Sequence, residues 1–211
     1  NQDGIDDLVT PQMILLNNGA AGFSNIHSLG NFSARAVAAG DLNGDGWHDV
    51  VNVNSTALDI VLNDHDNTFT YRDTYAYATS ALLAVALTDF DNDGVLDIAL
   101  VDNASNQVIT LTGNGDGTFA AAGNFATGDQ PRVIATGDWN GDGMQDMAVP
   151  YRNGGETPFA SILLQQAVTT PPPAGTLQLG SATYSISEDG VALVVAVNRV
   201  AVSYTHLTLP T

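Results

Sequence analysis

Asp41-Leu-Asn43-Gly-Asp45-Gly46-Trp47-His-Asp49 is the stretch that decides the fold, because two further copies of it follow along the chain. One copy runs from Asp89 to Asp97 and the other from Asp138 to Asp146. All three share the pattern D-x-[DN]-x-D-G-x-x-D, and a partial copy occupies residues 1–7. A nine-residue acidic loop that returns in the same phase predicts a repeat protein.

The spacing of the acidic residues within each loop predicts a bound cation. Short oxygen-bearing side chains at loop positions 1, 3, 5 and 9 can converge on one point, and Gly at position 6 permits the sharp turn. With the backbone carbonyl of position 7, this oxygen set suits Ca²⁺, which takes about six to eight oxygen ligands. The predicted ligands are Asp41, Asn43, Asp45, Trp47 and Asp49; Asp89, Asp91, Asp93, Val95 and Asp97; Asp138, Asn140, Asp142, Met144 and Asp146; and, in the partial loop, Asn1, Asp3 and Asp7.

The loops have two other interpretations. An EF-hand needs Glu at position 12, where this chain has Asn52, Leu100 and Val149, so that interpretation fails. Plain Asp/Asn/Gly turns between strands remain an alternative, since these residues dominate turns. A turn does not need four crowded acidic or amide groups, however, and carboxylates without a cation repel one another. The loop at 89–97, with four carboxylates, is expected to bind most tightly.

The spacing of the loops predicts the architecture. The position-5 aspartates Asp3, Asp45, Asp93 and Asp142 lie 42, 48 and 49 residues apart. Between them, short apolar runs alternate with Gly/Asn/Asp turns, which indicates about four strands per repeat. Such a period is typical of propeller blades, so the prediction is an all-β chain with a partial β-propeller. At loop position 2, Leu42, Phe90 and Trp139 are expected to pack between blades.

The repeats resemble FG-GAP repeats in the form found in bacterial VCBS-repeat proteins. The resemblance rests on the three loops, on Gly-Asn-Gly-Asp-Gly-Thr-Phe at 113–119 and on the lead-in at 128–138, and it covers residues 1–167. It implies four-stranded blades, each with Ca²⁺ in an inter-strand loop. It also implies an extracellular or cell-surface setting, as in adhesins, integrin-type heads and accessory parts of secreted enzymes.

Three further segments are predicted after the repeats. Residues 168–175 form a Pro-rich linker, because three consecutive prolines favour an extended spacer. Residues 176–201 alternate like two strands, and Tyr-Ser-Ile-Ser-Glu-Asp-Gly at 184–190 resembles the opening of a Calx-β domain, a Ca²⁺-binding β-sandwich. Residues 202–211 resemble adapter-derived, non-native sequence; a native third strand is the alternative. The chain opens inside a loop rather than at Met, so further upstream sequence is expected.

Composition restricts the expected partners. The chain has 23 acidic residues and 5 basic ones, for a net charge of −18, and it has no cysteine. This charge repels nucleic acid and anionic membranes, and no apolar run is long enough for a membrane span. Because the chain has no cysteine, Ca²⁺ is expected to supply the stabilisation that disulfides give other secreted domains.

No catalytic arrangement is recognisable in the sequence, which lacks a Gly-x-Ser-x-Gly elbow and a cysteine nucleophile. The predicted function is a calcium-binding, non-catalytic extracellular scaffold for adhesion or for binding a glycan or surface protein. The alternative is an accessory propeller region of a secreted polysaccharide-active enzyme whose catalytic domain lies outside this chain. A purely structural spacer is a third interpretation.

Overall fold

The computed structural model describes residues 2–17, 19, 22–29, 34–77, 81–152, 158–165, 179–185 and 194–196. Within these residues all regular elements are β-strands, and they form four antiparallel sheets. The all-β prediction is therefore confirmed. The arrangement of the sheets as blades of a partial β-propeller remains a prediction.

The four sheets follow one another along the chain. Sheet 1 consists of β1 (Leu8–Val9), β2 (Met13–Asn17) and β3 (Phe23–Ser28). Sheet 2 consists of β4 (Ala36–Gly40), β5 (Asp49–Val53), β6 (Ala57–Asn63) and β7 (Phe69–Ala76). Sheet 3 consists of β8 (Leu82–Thr88), β9 (Asp97–Asp102), β10 (Gln107–Gly113) and β11 (Phe119–Ala126). Sheet 4 consists of β12 (Ala135–Gly137), β13 (Asp146–Arg152), β14 (Pro158–Gln165), β15 (Leu179–Ser185) and β16 (Val194–Ala196).

Every sheet is a meander, in which each strand pairs with the strand next to it in sequence. The prediction of about four strands per repeat is confirmed in sheets 2 and 3. The same pair of positions carries a register shift in three sheets, between Ile14 and Leu15, between Ile60 and Val61, and between Thr110 and Leu111. A β-bulge adds local twist to a strand. Its recurrence shows that the repeats share backbone detail as well as sequence.

Neighbouring sheets pack face to face through apolar side chains. Val50 and Val61 of sheet 2 share a buried cluster with Ile14 of sheet 1. Successive residues of a strand point to opposite faces. Val51 accordingly lies in a second cluster, with Ile98 and other residues of sheet 3. A third cluster joins sheets 3 and 4. Sheets 2 and 3 thus bury both faces, which is why β5 and β9 are buried along their whole length.

Loop position 2 contributes to these clusters, but not in every repeat. Leu42 lies in the cluster between sheets 2 and 3, and Phe90 lies in the cluster between sheets 3 and 4; each is only 1% exposed. The predicted burial of this position is confirmed for both residues. It is wrong for Trp139, which is 48% exposed. The reason is positional, because no sheet in the described part of the chain covers that side of sheet 4.

The segment after the repeats extends the last sheet. β15 pairs with β14 over six residue pairs, from Ala160 opposite Tyr184 to Gln165 opposite Leu179, and β16 pairs with β15. Two strands were predicted at 176–201, and the described residues of that segment contain two. Their assignment to a separate Calx-β-like sandwich remains a prediction. The linker at 168–175 and the tail at 202–211 lie outside the described residues.

Candidate metal centres

The three whole loops occupy the same place in their sheets. Each connects the first strand to the second: β4 to β5, β8 to β9, and β12 to β13. The partial loop leads into β1 in the same way. A loop between two adjacent antiparallel strands is held at both ends by their hydrogen bonds. The sheets therefore place the acidic residues on a fixed base.

The aspartate at position 1 organises the loop through its own backbone. Oδ1 of Asp41 accepts hydrogen bonds from the N–H groups of Gly44 at 2.8 Å and Asp45 at 3.1 Å, and Oδ2 accepts one from Gly46 at 2.8 Å. The 138–146 loop repeats this pattern around Asp138, with bonds of 2.7 to 3.2 Å. The loop thus curls around a carboxylate at its centre.

Left-handed backbone conformations make this curl possible. Position 6 is always Gly, with φ of +86° at Gly46, +89° at Gly94 and +84° at Gly143, so the sequence-based argument for a turn-forming glycine is confirmed. Position 4 is also left-handed, and in the 89–97 loop it is Asn92, with φ of +63°. Asn tolerates this conformation better than most residues with a side chain.

The aspartate at position 5 faces the backbone of position 7. Oδ1 of Asp45 accepts the N–H of Trp47 at 2.8 Å, and Asp93 accepts that of Val95 at the same distance. The partial loop has the same contact, from the N–H of Ile5 to Asp3 at 2.9 Å. Position 7 was predicted to offer its carbonyl to a cation. The described contacts involve its N–H, and the role of the carbonyl remains a prediction.

The aspartate at position 9 is the most deeply placed member of the loop. Asp49, Asp97 and Asp146 are each at most 2% exposed. One oxygen of Asp97 accepts the N–H of Phe90 at 2.7 Å, and the other accepts the N–H of Gly113 at 2.9 Å. The same two contacts hold Asp49 and Asp146, and the partial loop keeps one of them, from Asn17 to Asp7 at 2.9 Å. Position 9 therefore ties its loop to the third strand of a four-stranded repeat.

The 89–97 loop brings three carboxylates together. Oxygen atoms of Asp89, Asp91 and Asp97 all lie within 4.8 Å of one another, so this cluster could hold a metal ion. It is the one such group of three acidic or imidazole side chains found among the described residues. Asp93, the fourth predicted carboxylate of this loop, does not belong to the converging group. Oxygen donors of this kind suit hard cations rather than thiophilic metals.

The other two whole loops carry Asn at position 3, so they present fewer carboxylates. In both, the Asn side chain donates to the position-5 carboxylate: Asn43 to Asp45 at 2.8 Å and Asn140 to Asp142 at 2.9 Å. At positions 1, 3, 5 and 9, each of these two loops therefore carries three carboxylates and one side-chain amide. Asn1 of the partial loop lies outside the described residues, so its proposed role is untested.

The electrostatics of the 89–97 cluster agree with its geometry. Burial, together with the negative charges of Asp91 and Asp89, raises the pKa of Asp97 to about 6, against two backbone hydrogen bonds that lower it. Burial and the neighbouring charges of Asp93 and Asp89 also raise the pKa of Asp91. These carboxylates repel one another in the absence of a positive charge. A cation among them would relieve this repulsion.

Sequence reasoning missed two contacts at the 41–49 loop. Nε2 of His65 lies 2.8 Å from Oδ2 of Asp45, a predicted ligand, and the His65 ring stacks on Trp47 with centroids 5.2 Å apart. In the sequence, His65 lies within Asn-Asp-His-Asp-Asn at 63–67, a composition typical of a surface turn. It is exposed, but it contacts the 41–49 loop of the same sheet from the turn between β6 and β7. No sequence spacing signals this contact, because it depends on how two loops approach each other.

A repeating β-meander with an acidic loop between its first two strands defines a class of β-repeat proteins, and comparison with known families names it. The model of the FG-GAP-like repeat matches residues 41–100 and again 89–149, so the 89–97 loop lies in both matches. Together the matches cover just over half of the chain. The chain belongs to the FG-GAP-like repeat family. In a comparison with curated proteins, none matched the chain.

Family membership gives a general setting. FG-GAP repeats are typical of extracellular proteins and suggest an extracellular repeat scaffold in a general sense. Among the residues that the structure describes, no helix is long and apolar enough to cross a membrane.

Proposed function

We propose that the chain is a calcium-stabilised, non-catalytic scaffold that works outside the cell in adhesion or in binding a glycan or surface protein. The observation that carries the proposal is the convergence of Asp89, Asp91 and Asp97 in a loop held by left-handed Gly94. Its mechanism is preorganisation. The cation offsets the repulsion among carboxylates and fixes the loop and the surface next to it.

Calcium is favoured over other metals by the type of donor. Each whole loop offers side-chain oxygens at positions 1, 3, 5 and 9, and neither His nor Cys occupies those positions. Ca²⁺ tolerates six to eight oxygen ligands in irregular geometry, whereas Mg²⁺ requires a near-ideal octahedron. Extracellular modules bind Ca²⁺ with dissociation constants of about 10⁻⁴ to 10⁻³ M, which suits a calcium-rich medium.

A cleft of about 660 Å³ between sheets 1 and 2 is the surface that we propose for ligand binding. Trp47 and His48 line it beside the polar side chains of Asp6, Asn63 and Asn67. An aromatic ring next to amide and carboxylate groups suits a sugar, which offers a flat apolar face and a rim of hydroxyls. In the alternative function, an accessory region of a secreted polysaccharide-active enzyme, the same cleft would hold the polysaccharide.

Calorimetric titration of the full chain with Ca²⁺ tests the metal part of the proposal, with melting curves in Ca²⁺, in Mg²⁺ and in chelator. We expect about three ions to bind, because there are three whole loops, and the melting temperature to rise more in Ca²⁺ than in Mg²⁺. No binding by a folded chain would overturn the proposal and leave the loops as acidic turns.

Binding to a panel of soluble polysaccharides tests the ligand part, with Trp47→Ala as the variant and Trp139→Ala as the matched control. Both tryptophans belong to metal loops, but Trp139 does not line the cleft. Binding that is lost only in Trp47→Ala supports a glycan site in the cleft. Equal binding by both variants excludes it.

A further inference from the structure

The outer strand of sheet 4 is supplied differently from the outer strands of the other sheets. In sheets 1, 2 and 3 the outer strand (β3, β7 or β11) follows its partner after a connection of five residues, at 18–22, 64–68 and 114–118. In sheet 4 the corresponding place beside β14 is taken by β15, after a connection of thirteen residues at 166–178. This place is therefore filled without the short hairpin of the repeat.

A shared contact aligns the strands that pair with these outer strands. The last residue of β2, β6, β10 and β14 donates its backbone N–H to the position-9 aspartate of its own repeat, and these residues are Asn17, Asn63, Gly113 and Gln165. Three residues before them lie four equivalent positions, which are Ile14, Ile60, Thr110 and Ile162. β14 thus corresponds residue by residue to the strands that accept β3, β7 and β11.

The first three outer strands contain an extra residue that β15 lacks. Their register shifts directly after the equivalent positions, because the pairing skips one residue of the outer strand: Ile26, Arg72 and Ala122. In β14 the pairing continues without a shift, with Ile162 opposite Ala182 and Leu163 opposite Ser181. A bulge is an inserted residue of one strand. The bulge that recurs in the repeats is therefore absent from β15.

β15 also lacks the aromatic residue that opens each of the other outer strands. Those strands begin at Phe23, Phe69 and Phe119, and the last two pack in the apolar clusters on the two faces of sheet 2. β15 begins at Leu179. What β15 shares with the other outer strands is backbone pairing, which joins it to β14 over six residue pairs. Such pairing requires an extended chain rather than particular side chains.

We propose that the outer edge of β14 is a binding site for an extended segment, and that residues 179–185 occupy it as an exchangeable strand. The edge recognises its occupant by β-strand addition, in which main-chain N–H and C=O groups supply the affinity. The same segment of a second copy of the chain offers the same backbone groups and fits the same edge. Neither the cation nor the cleft enters this inference.

The connection between β14 and β15 determines how exchange takes place. A tether of this length gives β15 an effective concentration on the order of 1 mM at the edge. An added segment at micromolar concentration therefore binds only when β15 is disabled. Sheet 4 is in this way the point at which the repeats can be joined to another segment of extended chain.

Hydrogen exchange followed by mass spectrometry on the full chain tests whether β15 protects the edge. In the β15 variant, Ala182→Pro with Thr183→Pro removes two successive N–H donors from the strand. In the matched β16 control, Val194→Pro with Val195→Pro disrupts a strand that does not pair with β14. We expect the N–H groups of β14 that pair with β15 to exchange at least about tenfold faster in the β15 variant than in the parent and the control.

A labelled peptide with the sequence of residues 177–187 tests whether the edge accepts a new occupant. It should bind the β15 variant with a dissociation constant below about 1 mM, restore the protection of β14, and bind the parent at least about tenfold more weakly. The same peptide with proline at the two substituted positions is the control and should not bind, because it cannot complete the ladder.

Two results would overturn the proposal. Equal exchange of β14 in the parent and the β15 variant would show that β15 does not protect the edge. Lost protection without peptide binding would show that β15 is a fixed part of sheet 4 rather than an exchangeable occupant.

A measurement on the unmodified chain remains decisive if the β15 variant does not fold. The chain is isotope-labelled so that its fragments differ in mass from those of the peptide, which is added at about 5 mM, above the effective concentration of β15. Residues 179–185 should then exchange faster while β14 stays protected. Unchanged exchange of residues 179–185 would contradict the proposal.

Discussion

At the scale of single residues, the aspartates of one loop have different structural roles although their side chains are identical. Position 1 accepts the N–H groups of its own loop, as Asp41 does. Position 9 is buried and accepts one N–H group from position 2 of its loop and one from a neighbouring strand, as Asp97 does from Phe90 and Gly113. Position 3 accepts the N–H of position 5, as Asn43 and Asn140 do, and the chain has Asn in two loops and Asp91 in the third, so the number of carboxylates can change there without loss of the loop.

Position 3 therefore gives a matched pair of substitutions. Asp91→Asn should convert the 89–97 loop to the composition of its two neighbours and weaken Ca²⁺ binding there by about tenfold, since affinity follows the number of charged ligands. Asn140→Asp should strengthen the 138–146 loop in the opposite direction. Calorimetric titration measures both, and equal affinities in the parent and both variants would contradict a metal site at these loops.

The raised pKa of Asp97 predicts how acidity acts on the metal-free chain. The folded-state pKa is about 6 and the ordinary value is 3.8, so the folded state binds the proton more tightly than the unfolded state. This group's contribution to stability is therefore complete below about pH 4 and is lost as the pH rises through 6. Protons also compete with Ca²⁺, so Ca²⁺ affinity should fall below about pH 6.

Melting curves in chelator between about pH 4 and pH 7 test this prediction, with Asp97→Asn as the comparison. Other carboxylates titrate in the same interval, and some have lowered pKa values, so the informative quantity is the difference between parent and variant. The melting temperature of the parent should decline as the pH rises through about 6, and Asp97→Asn should lack this part of the decline. Parallel curves for the two proteins would contradict it.

At the scale of the strand and loop, the aspartate at position 9 accepts hydrogen bonds that connect the acidic loop to the sheet. Asp146 accepts the N–H of Trp139 at 3.0 Å and that of Gln165, at the end of β14, at 2.8 Å. The two bonds engage both carboxylate oxygens of Asp146. The loop is therefore part of the sheet's own hydrogen bonding, and position 9 serves stability before it serves a ligand.

Two neighbouring substitutions separate these roles. Asp146→Ala leaves two N–H groups without acceptors and should destabilise the chain by about 2–4 kcal/mol even in chelator. Asp142→Ala, at exposed position 5, should cost much less in chelator and should lower Ca²⁺ binding. Urea unfolding with and without Ca²⁺ measures both effects. Equal losses in chelator would show that position 9 has no special structural role.

The elements also show where sequence reasoning succeeds. Loop spacing and apolar runs predict strands on both sides of each loop, because alternation and turn residues are local properties. The glycine at position 6 is predictable for the same reason. The partner of a strand is not local: the alternation at 176–201 predicts two strands, but it cannot indicate that β15 pairs with β14.

The site has the same limit. The spacing of Asp and Asn predicts a cluster of oxygen donors in each loop, and three carboxylates of the 89–97 loop do converge. The contact between His65 and Asp45 cannot be read, since it joins two turns 20 residues apart. The exposure of Trp139 was also unpredictable from its loop, because burial of position 2 depends on a neighbouring sheet rather than on the loop itself.

At the scale of the whole molecule, the net charge of −18 is the dominant electrostatic fact. Without a cation, this charge opposes the compact state through self-repulsion. Much of it is concentrated in the loops, where Ca²⁺ would neutralise it. Stability should therefore depend on ionic strength, and this dependence should be weaker when the cation is bound.

In chelator, the melting temperature should rise clearly as NaCl increases from about 0.01 M to 0.5 M, because the screening length falls from about 30 Å to a few ångströms. In saturating Ca²⁺ the same increase in NaCl should have a smaller effect. Differential scanning calorimetry provides both series. Identical salt dependence in the two buffers would show that the loops do not hold the cation.

The meander described above, in which every strand pairs with its neighbour in sequence, also bears on how such a chain is assembled and how it changes over generations. Sheets 1, 2 and 3 each complete their backbone pairing within a segment of fewer than 50 residues, so folding can follow synthesis from one end to the other. A duplication or deletion of one whole unit leaves every remaining ladder intact. Only the two apolar junctions beside the altered unit must be rebuilt, and both already share one pattern.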